Sequence, residues 1–197
     1  MAASDVVEAQ KDELRIAMAR LKREVSAGDA RKAGESMAAA LVSSPEWTSA
    51  RGVGLFAGLP DEPDTRPIFS AVRESGKTAF LPRCREEGDV ELVPVEEWSD
   101  LRAGYFGILE PPAGVASVSL AELDLLLLPG VAFDPYGRRL GRGKGFYDRT
   151  LGPDPEPRLI GVAYAFQVVE RVPTHAHDRR VHAILDETGL RAAQPAE

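Results

Sequence analysis

Five cations alternate with glycines in the stretch YGRRLGRGKGFYDR, which covers residues 136–149. Glycine has no side chain and lets backbone N–H groups approach phosphate oxygens, while Arg and Lys neutralise the phosphate charge. Asp148 adds a carboxylate of the kind that holds Mg²⁺. The whole chain carries a formal net charge of −7, so this local excess of positive charge predicts a site for an anionic ligand. The alternative is a solvated basic loop, which the glycines at every second position from 141 to 145 disfavour.

Two common phosphate-binding motifs fail to match this stretch. The P-loop pattern needs a glycine where Arg138 stands and Ser or Thr where Gly145 stands. The dinucleotide-binding fingerprint needs a third glycine where Phe146 stands. The residues therefore predict a phosphate site with an adjacent metal-binding carboxylate, and they leave the ligand unidentified.

The elements that position this loop follow from periodicity. The leucines at 125–128 form an uninterrupted apolar run, which indicates a strand buried on both faces. A helix is predicted over 146–151, with its first N–H groups near the phosphates. Further helices are predicted over 5–26, 30–42 and 67–75, and further strands over 51–59, 77–82, 90–93 and 158–165. This alternation predicts an α/β protein with a mostly parallel sheet between helices.

Composition limits the classes of protein that this chain can represent. With 197 residues, 44% of them apolar, we expect one domain over 1–197 with its core over about 5–190. The acidic balance, with a pI near 5.1, argues against nucleic-acid and membrane partners. One cysteine, Cys84, excludes an intrachain disulfide and is expected to be a buried apolar residue rather than a nucleophile. Without an evident signal peptide, we expect a cytoplasmic protein.

Several segments resemble one known family. PGVAFDPYGRRLGRGKGFYD, at 129–148, resembles the signature of the 5-formyltetrahydrofolate cyclo-ligases, also called 5,10-methenyltetrahydrofolate synthetases. The family's Lys-x-x-x-Arg, Gly-Ile-x-Glu-Pro and C-terminal His-Asp patterns occur here at 11–15, 107–111 and 177–178. The chain departs from the family at His182, where an aspartate is common, and at 90–92, where Met-x-Phe is frequent.

The resemblance implies a single three-layer Rossmann-like domain of the ribose-phosphate-isomerase/CoA-transferase-like class. It implies ATP- and Mg²⁺-dependent cyclisation of 5-formyltetrahydrofolate to 5,10-methenyltetrahydrofolate, with release of ADP and phosphate through a phosphorylated, imidate-like formyl intermediate. The implied partners are these small molecules alone, and no oligomer is required.

The resemblance also implies roles for individual residues. It implies ATP binding by Lys11, Arg15, Arg139, Gly141, Arg142, Gly143, Lys144, Gly145 and Tyr147; folate binding by Ala57, Glu62, Arg142, Gly143, Lys144, Gly145 and Phe146; Mg²⁺ binding by Asp148 and Asp178; and catalytic roles for Arg142 and Lys144.

Other interpretations remain open at this point. The chain can be a different ATP-using or sugar-phosphate-using enzyme of the same fold, or a non-catalytic folate- or nucleotide-binding module. Tyr105 or Phe106 can stack on a folate ring or, equally, pack in the core. The histidines at 175, 177 and 182 fit no standard zinc spacing.

Overall fold

The fold is described from a computed structural model, which describes residues 3–86, 88–151, 157–175 and 178–195. His177, part of the C-terminal pattern quoted above, lies outside the described residues. The helices are α1 (Ala3–Lys22), α2 (Ala27–Val42), α3 (Pro45–Ser49), α4 (Arg66–Glu74) and α5 (Phe146–Thr150). The strands are β1 (Gly52–Gly54), β2 (Thr78–Cys84), β3 (Val90–Val95), β4 (Arg102–Ala103), β5 (Leu109–Glu110), β6 (Leu125–Pro129), β7 (Ala132–Phe133), β8 (Arg139–Leu140), β9 (Arg158–Val162), β10 (Ala183–Asp186) and β11 (Gly189–Ala192).

A seven-stranded sheet with the order β11-β10-β9-β6-β1-β2-β3 runs through the molecule. Its five inner strands pair in parallel, whereas β3 and β11 pair antiparallel at the two edges. The predicted α/β class with a mostly parallel sheet is therefore confirmed. Two short hairpins, β4–β5 and β7–β8, lie outside this sheet. None of the helices in the described ranges has the length and apolar character needed to cross a bilayer.

Strand β6 is buried on both of its faces, as the leucine run predicts. Leu125 and Leu127 belong to a core cluster shared with α2 and α4, whereas Leu126 and Leu128 belong to a second cluster on the opposite face. Each buried leucine contributes about 1.5–3 kcal/mol relative to an exposed one. Because both faces of β6 are packed, the residues that follow it leave the sheet from a fixed point.

Helix ends differ from the prediction where a serine acts as a cap. The Ser26 hydroxyl accepts a hydrogen bond from the Asp29 N–H at 3.1 Å, and the Asp29 carboxylate accepts one from the Ser26 N–H. This reciprocal capping starts α2 at Ala27, so α1 ends at Lys22 instead of continuing to residue 26. Ser44 likewise caps the unpredicted helix α3 by accepting from the Trp47 N–H.

The first predicted core strand is shorter than 51–59, because only Gly52–Gly54 pair as β1. The chain then turns away, and the Thr65 hydroxyl donates to the Phe56 carbonyl oxygen across the turn. This bond holds residues 56–65 over the carboxyl end of the sheet, the edge at which ligands collect in open α/β proteins.

Candidate active site

A cavity of about 600 Å³ lies at the carboxyl ends of β1, β2 and β6. Its volume falls within the range of small-molecule sites, about 300–1,000 Å³. Every site residue predicted from the sequence lines this cavity: Lys11, Arg15, Ala57, Glu62, Arg139, Gly141, Arg142, Gly143, Lys144, Gly145, Phe146, Tyr147, Asp148 and Asp178. The structure thus brings all of them together, while the ligand that each one binds stays a prediction.

The buried Asp134 positions the start of the cation-rich loop. One carboxylate oxygen accepts hydrogen bonds from the N–H groups of Tyr136 and Arg138, at 3.0 and 3.1 Å. The other accepts from the Val172 N–H at 2.9 Å and from the Arg138 side chain at 3.2 Å. These bonds close the turn between β7 and β8, which returns the chain to the cavity at Arg139. The Asp-Pro-Tyr-Gly turn was the available signal for this role.

Two of the three alternating glycines are required by backbone geometry. Gly143 and Gly145 have φ values of +91° and +67°, a region that residues with a Cβ rarely adopt. Gly141 has no such φ; its carbonyl oxygen accepts a hydrogen bond from Arg15 Nε at 3.2 Å. The loop is therefore tied to helix α1 at Gly141 and turns sharply at the two later glycines.

Each predicted metal-binding carboxylate is paired with a predicted phosphate-binding cation. Lys11 Nζ lies 2.8 Å from Asp178, and Arg139 Nη2 lies 2.7 Å from Asp148. Lys11 and Arg139 are both buried. The members of these pairs were predictable from the sequence, but their pairing was not.

Arg142 bridges to the acidic turn on the other side of the cavity. Its Nε and Nη2 donate to one oxygen of Glu62 at 3.1 and 3.0 Å, and Nη2 also donates to Asp61 at 2.6 Å. The Leu59 N–H donates to the second oxygen of Glu62. Burial opposes the charge of Arg142, but Glu62 and Asp61 outweigh it and raise the arginine pKa. The guanidinium is therefore charged at any working pH.

The end of the cavity away from these pairs is largely apolar. Cys84 and Glu110 lie there together, and burial followed by the neighbouring Glu110 carboxylate raises the pKa of the Cys84 thiol to about 12. Cys84 is thus a neutral thiol at pH 7, in agreement with its predicted non-nucleophilic character, but it is only partly buried and lines the cavity, so its predicted burial in the core is wrong. Tyr105 is 53% exposed at the cavity wall and meets Phe146 edge-to-face, with 6.0 Å between ring centroids, so the core alternative for Tyr105 is wrong.

Sequence reasoning missed Glu8 and His175, which line the cavity beside Lys11. His175 Nε2 lies 2.6 Å from the Glu8 carboxylate, and this hydrogen bond lowers the pKa of Glu8. The position of Glu8, one turn before Lys11 on helix α1, was the signal that could have found it. His182 lies elsewhere: its Nδ1 accepts from the Leu159 N–H at 2.9 Å.

The donor set of the cavity suits Mg²⁺ better than a protein-only metal centre. Within the described ranges, no group of three or more His, Cys, Asp or Glu side chains is gathered to hold a metal ion. Mg²⁺ commonly takes one or two carboxylates and completes its coordination with water and substrate phosphates. Asp148 and Asp178 are two carboxylates of this kind in the cavity lining. The residues present therefore fit this ion.

Comparison with known proteins gives one consistent family. The model of the family described as "5-formyltetrahydrofolate cyclo-ligase family" matches residues 7–187. The 5-formyltetrahydrofolate cyclo-ligase of Mus musculus is 28% identical over 94% of this chain and 97% of its own, and that of Escherichia coli K12 is 33% identical over 77% and 86%. The solved structure of Aquifex aeolicus 5,10-methenyltetrahydrofolate synthetase is 35% identical, with a TM-score of 0.82 over 95% of this chain and 94% of its own.

Proposed function

The chain belongs to the 5-formyltetrahydrofolate cyclo-ligase family, and from this premise we propose that it closes 5-formyltetrahydrofolate to 5,10-methenyltetrahydrofolate at the expense of ATP, with Mg²⁺ bound at the same site. The observation that carries the proposal is that one cavity is lined both by the cation-rich loop and by apolar residues such as Phe56, Val90 and Ile108. The first suits a triphosphate and the second suits a flat, reduced pterin ring, so both substrates meet in one space.

The chemistry explains why ATP is needed. A formamide carbonyl is a poor electrophile, and its oxygen is a poor leaving group. Transfer of the γ-phosphoryl group from ATP to the formyl oxygen releases ADP and leaves an imidate-like phosphate. The folate N10 then attacks the formyl carbon, its proton is lost, and phosphate departs with the oxygen. This sequence requires positioning and charge neutralisation from the protein, not a protein nucleophile.

The cavity residues match those requirements. Arg142 and Lys144 neutralise charge on the transferring phosphoryl group, and their cationic side chains serve the transition state more than the ground state. The turns at Gly143 and Gly145 let the backbone approach the phosphates closely. Lys11 and Arg15, on helix α1, hold the remaining nucleotide phosphates.

Two carboxylates are available for the metal. Asp148 and Asp178 would hold Mg²⁺, which supplies charge neutralisation for the phosphate oxygens when bound. The adjacent cations Arg139 and Lys11 would then contact phosphate oxygens. Each observed ion pair would thus supply a carboxylate to the metal and a cation to a phosphate.

The folate is proposed to occupy the other end. Ala57 and Phe146 form part of its apolar wall, and Glu62 accepts from its N–H groups. Arg142 contacts Glu62 directly, so one side chain links the folate subsite to the phosphate subsite. This link supports the proposal that the phosphoryl acceptor binds beside the phosphoryl donor.

One assay tests the proposal. Purified protein is mixed with 5-formyltetrahydrofolate, ATP and Mg²⁺, and the absorbance of the methenyl product is followed together with phosphate release. We expect one phosphate per product and no product when ATP or Mg²⁺ is omitted. Binding of both substrates without product would indicate a non-catalytic module, and the absence of folate binding would indicate a different enzyme of the same fold.

A further inference from the structure

The apolar end of the cavity contains a carboxylate that the proposed reaction does not yet use. Glu110, at the end of β5, is 8% exposed and lines the cavity together with Val90, Ile108 and Pro82. A carboxylate among apolar side chains is energetically unfavourable unless hydrogen bonds or a cation compensate it. The neighbours of Glu110 therefore determine what it does.

Those neighbours satisfy Glu110 only in part. The Tyr105 N–H donates to Oε1 at a long 3.3 Å, and the Cys84 thiol hydrogen-bonds to the carboxylate. In the part of the chain that the structure describes, no Lys, Arg or His side chain forms an ion pair with Glu110. A carboxylate has about four acceptor positions. Positions that can accept further hydrogen bonds thus remain on this carboxylate at the cavity wall.

Glu110 is also held firmly in place. It pairs with Arg102 across the β4–β5 hairpin, and any Cβ at Gly104 would overlap with its carboxylate. The backbone of Gly104 therefore packs directly against the Glu110 side chain. A side chain fixed in this way is preorganised to bind a ligand, because few rotamers are lost on binding.

We infer that Glu110 is a specificity-determining residue that accepts hydrogen bonds from the 2-amino and N3–H groups of the folate pterin ring, an inference that rests on the proposed function. The acceptor oxygens of Glu110 disfavour phosphate and the glutamate carboxylates of folate, whereas the N–H edge of the pterin presents two adjacent donors that match one carboxylate. The flat ring lies between the apolar side chains that flank Glu110. Glu62 differs, because Arg142 and the Leu59 N–H already donate three hydrogen bonds to it, which leaves about one acceptor position for a single further folate N–H group.

The test combines Glu110→Gln with a change in the ligand. KM and Kd are measured for 5-formyltetrahydrofolate and for its analogue with hydrogen in place of the 2-amino group. Gln retains the shape but presents an NH₂ group to one ligand donor. We expect the affinity for the natural substrate, measured as KM and Kd, to fall by about 10- to 100-fold, as for the loss of one or two charge-assisted hydrogen bonds. The loss should shrink to less than about threefold with the analogue, and the KM for ATP should stay within about twofold.

The control is Glu91→Gln, which removes a carboxylate paired with Arg83 on the neighbouring strands and outside the cavity lining. It should leave the folate KM unchanged. Glu110→Gln should also leave the thermal unfolding midpoint unchanged, because Gln has nearly the same shape and can still accept from the Tyr105 N–H.

An unchanged folate KM in Glu110→Gln, or an equal loss with both ligands, overturns the inference while leaving the proposed function intact. A lower unfolding midpoint combined with an equal loss would identify a purely structural residue and overturn it as well. Failure of the wild-type protein to bind either folate would overturn both proposals.

Discussion

Replacement of Asp134 by Asn should destabilise the protein strongly although only one atom changes its identity. Asp134 is fully buried, and its two oxygens accept four hydrogen bonds from Tyr136, Arg138 and Val172. In the variant, an NH₂ group replaces one carboxylate oxygen. The two N–H groups that donated hydrogen bonds to that oxygen then face another donor. Each charge-assisted hydrogen bond contributes about 1.5–3 kcal/mol, so after partial relaxation we expect a loss of about 3–5 kcal/mol in the free energy of unfolding.

Urea-induced unfolding measures this loss directly, and thermal unfolding gives a second estimate. For a chain of this length, 1 kcal/mol corresponds to about 2–4 °C in Tm, so the midpoint should fall by roughly 6–20 °C. The matched control is Glu35→Gln, which makes the same carboxylate-to-amide change in an exposed pair with Arg31. An exposed pair of this kind contributes less than about 1 kcal/mol.

The same variant should weaken nucleotide binding below its unfolding temperature. The turn held by Asp134 sets the position of Arg139 and of the loop after it, so loosening the turn should raise the Kd for ATP while the folate Kd changes less. A loss below about 1 kcal/mol would refute the reasoning, because it would show that the carboxylate does not hold the turn.

Three further predictions concern the cavity residues. Lys144→Ala should abolish turnover with an unchanged Tm, because its ammonium group is proposed to neutralise the transferring phosphoryl group; near-wild-type turnover would remove Lys144 from the mechanism. Asp148→Asn and Asp178→Asn should each raise the Mg²⁺ concentration for half-maximal turnover by at least about tenfold, as for the loss of one charged contact, and an unchanged requirement excludes that residue as a ligand. Iodoacetamide should alkylate Cys84 at pH 8 at least ~100-fold more slowly in the folded than in the unfolded chain, since only the thiolate reacts. Its pKa of about 12 in the folded protein means that the rate should rise with pH up to that value, and equal rates in both states would contradict this.

The sheet and the loop were predictable from sequence because their signals are local. The apolar run of β6, the glycines after it and the cations between them lie within 25 residues of one another. Burial on both faces of β6 follows from its apolar run, and glycine permits the left-handed turns found at Gly143 and Gly145.

The pairing of charges could not be predicted, because it depends on tertiary contacts. Arg142 and Glu62 are 80 residues apart in the chain, and nothing near either residue indicates its partner. Glu110 appeared only as part of a motif, since its position beside Cys84 depends on how the β4–β5 hairpin packs against β2. Ser26 illustrates a different limit: its hydroxyl competes with continuation of α1, and local patterns do not decide which outcome is more stable.

The ion pair between Lys11 and Asp178 joins residues 167 positions apart, and this has a consequence for biosynthesis. A nascent chain emerging from the ribosome displays Lys11 on α1 long before Asp178 has been translated. The cation-rich end of the cavity is therefore completed only in the last stage of translation. Products of premature termination before Asp178 would lack this closure.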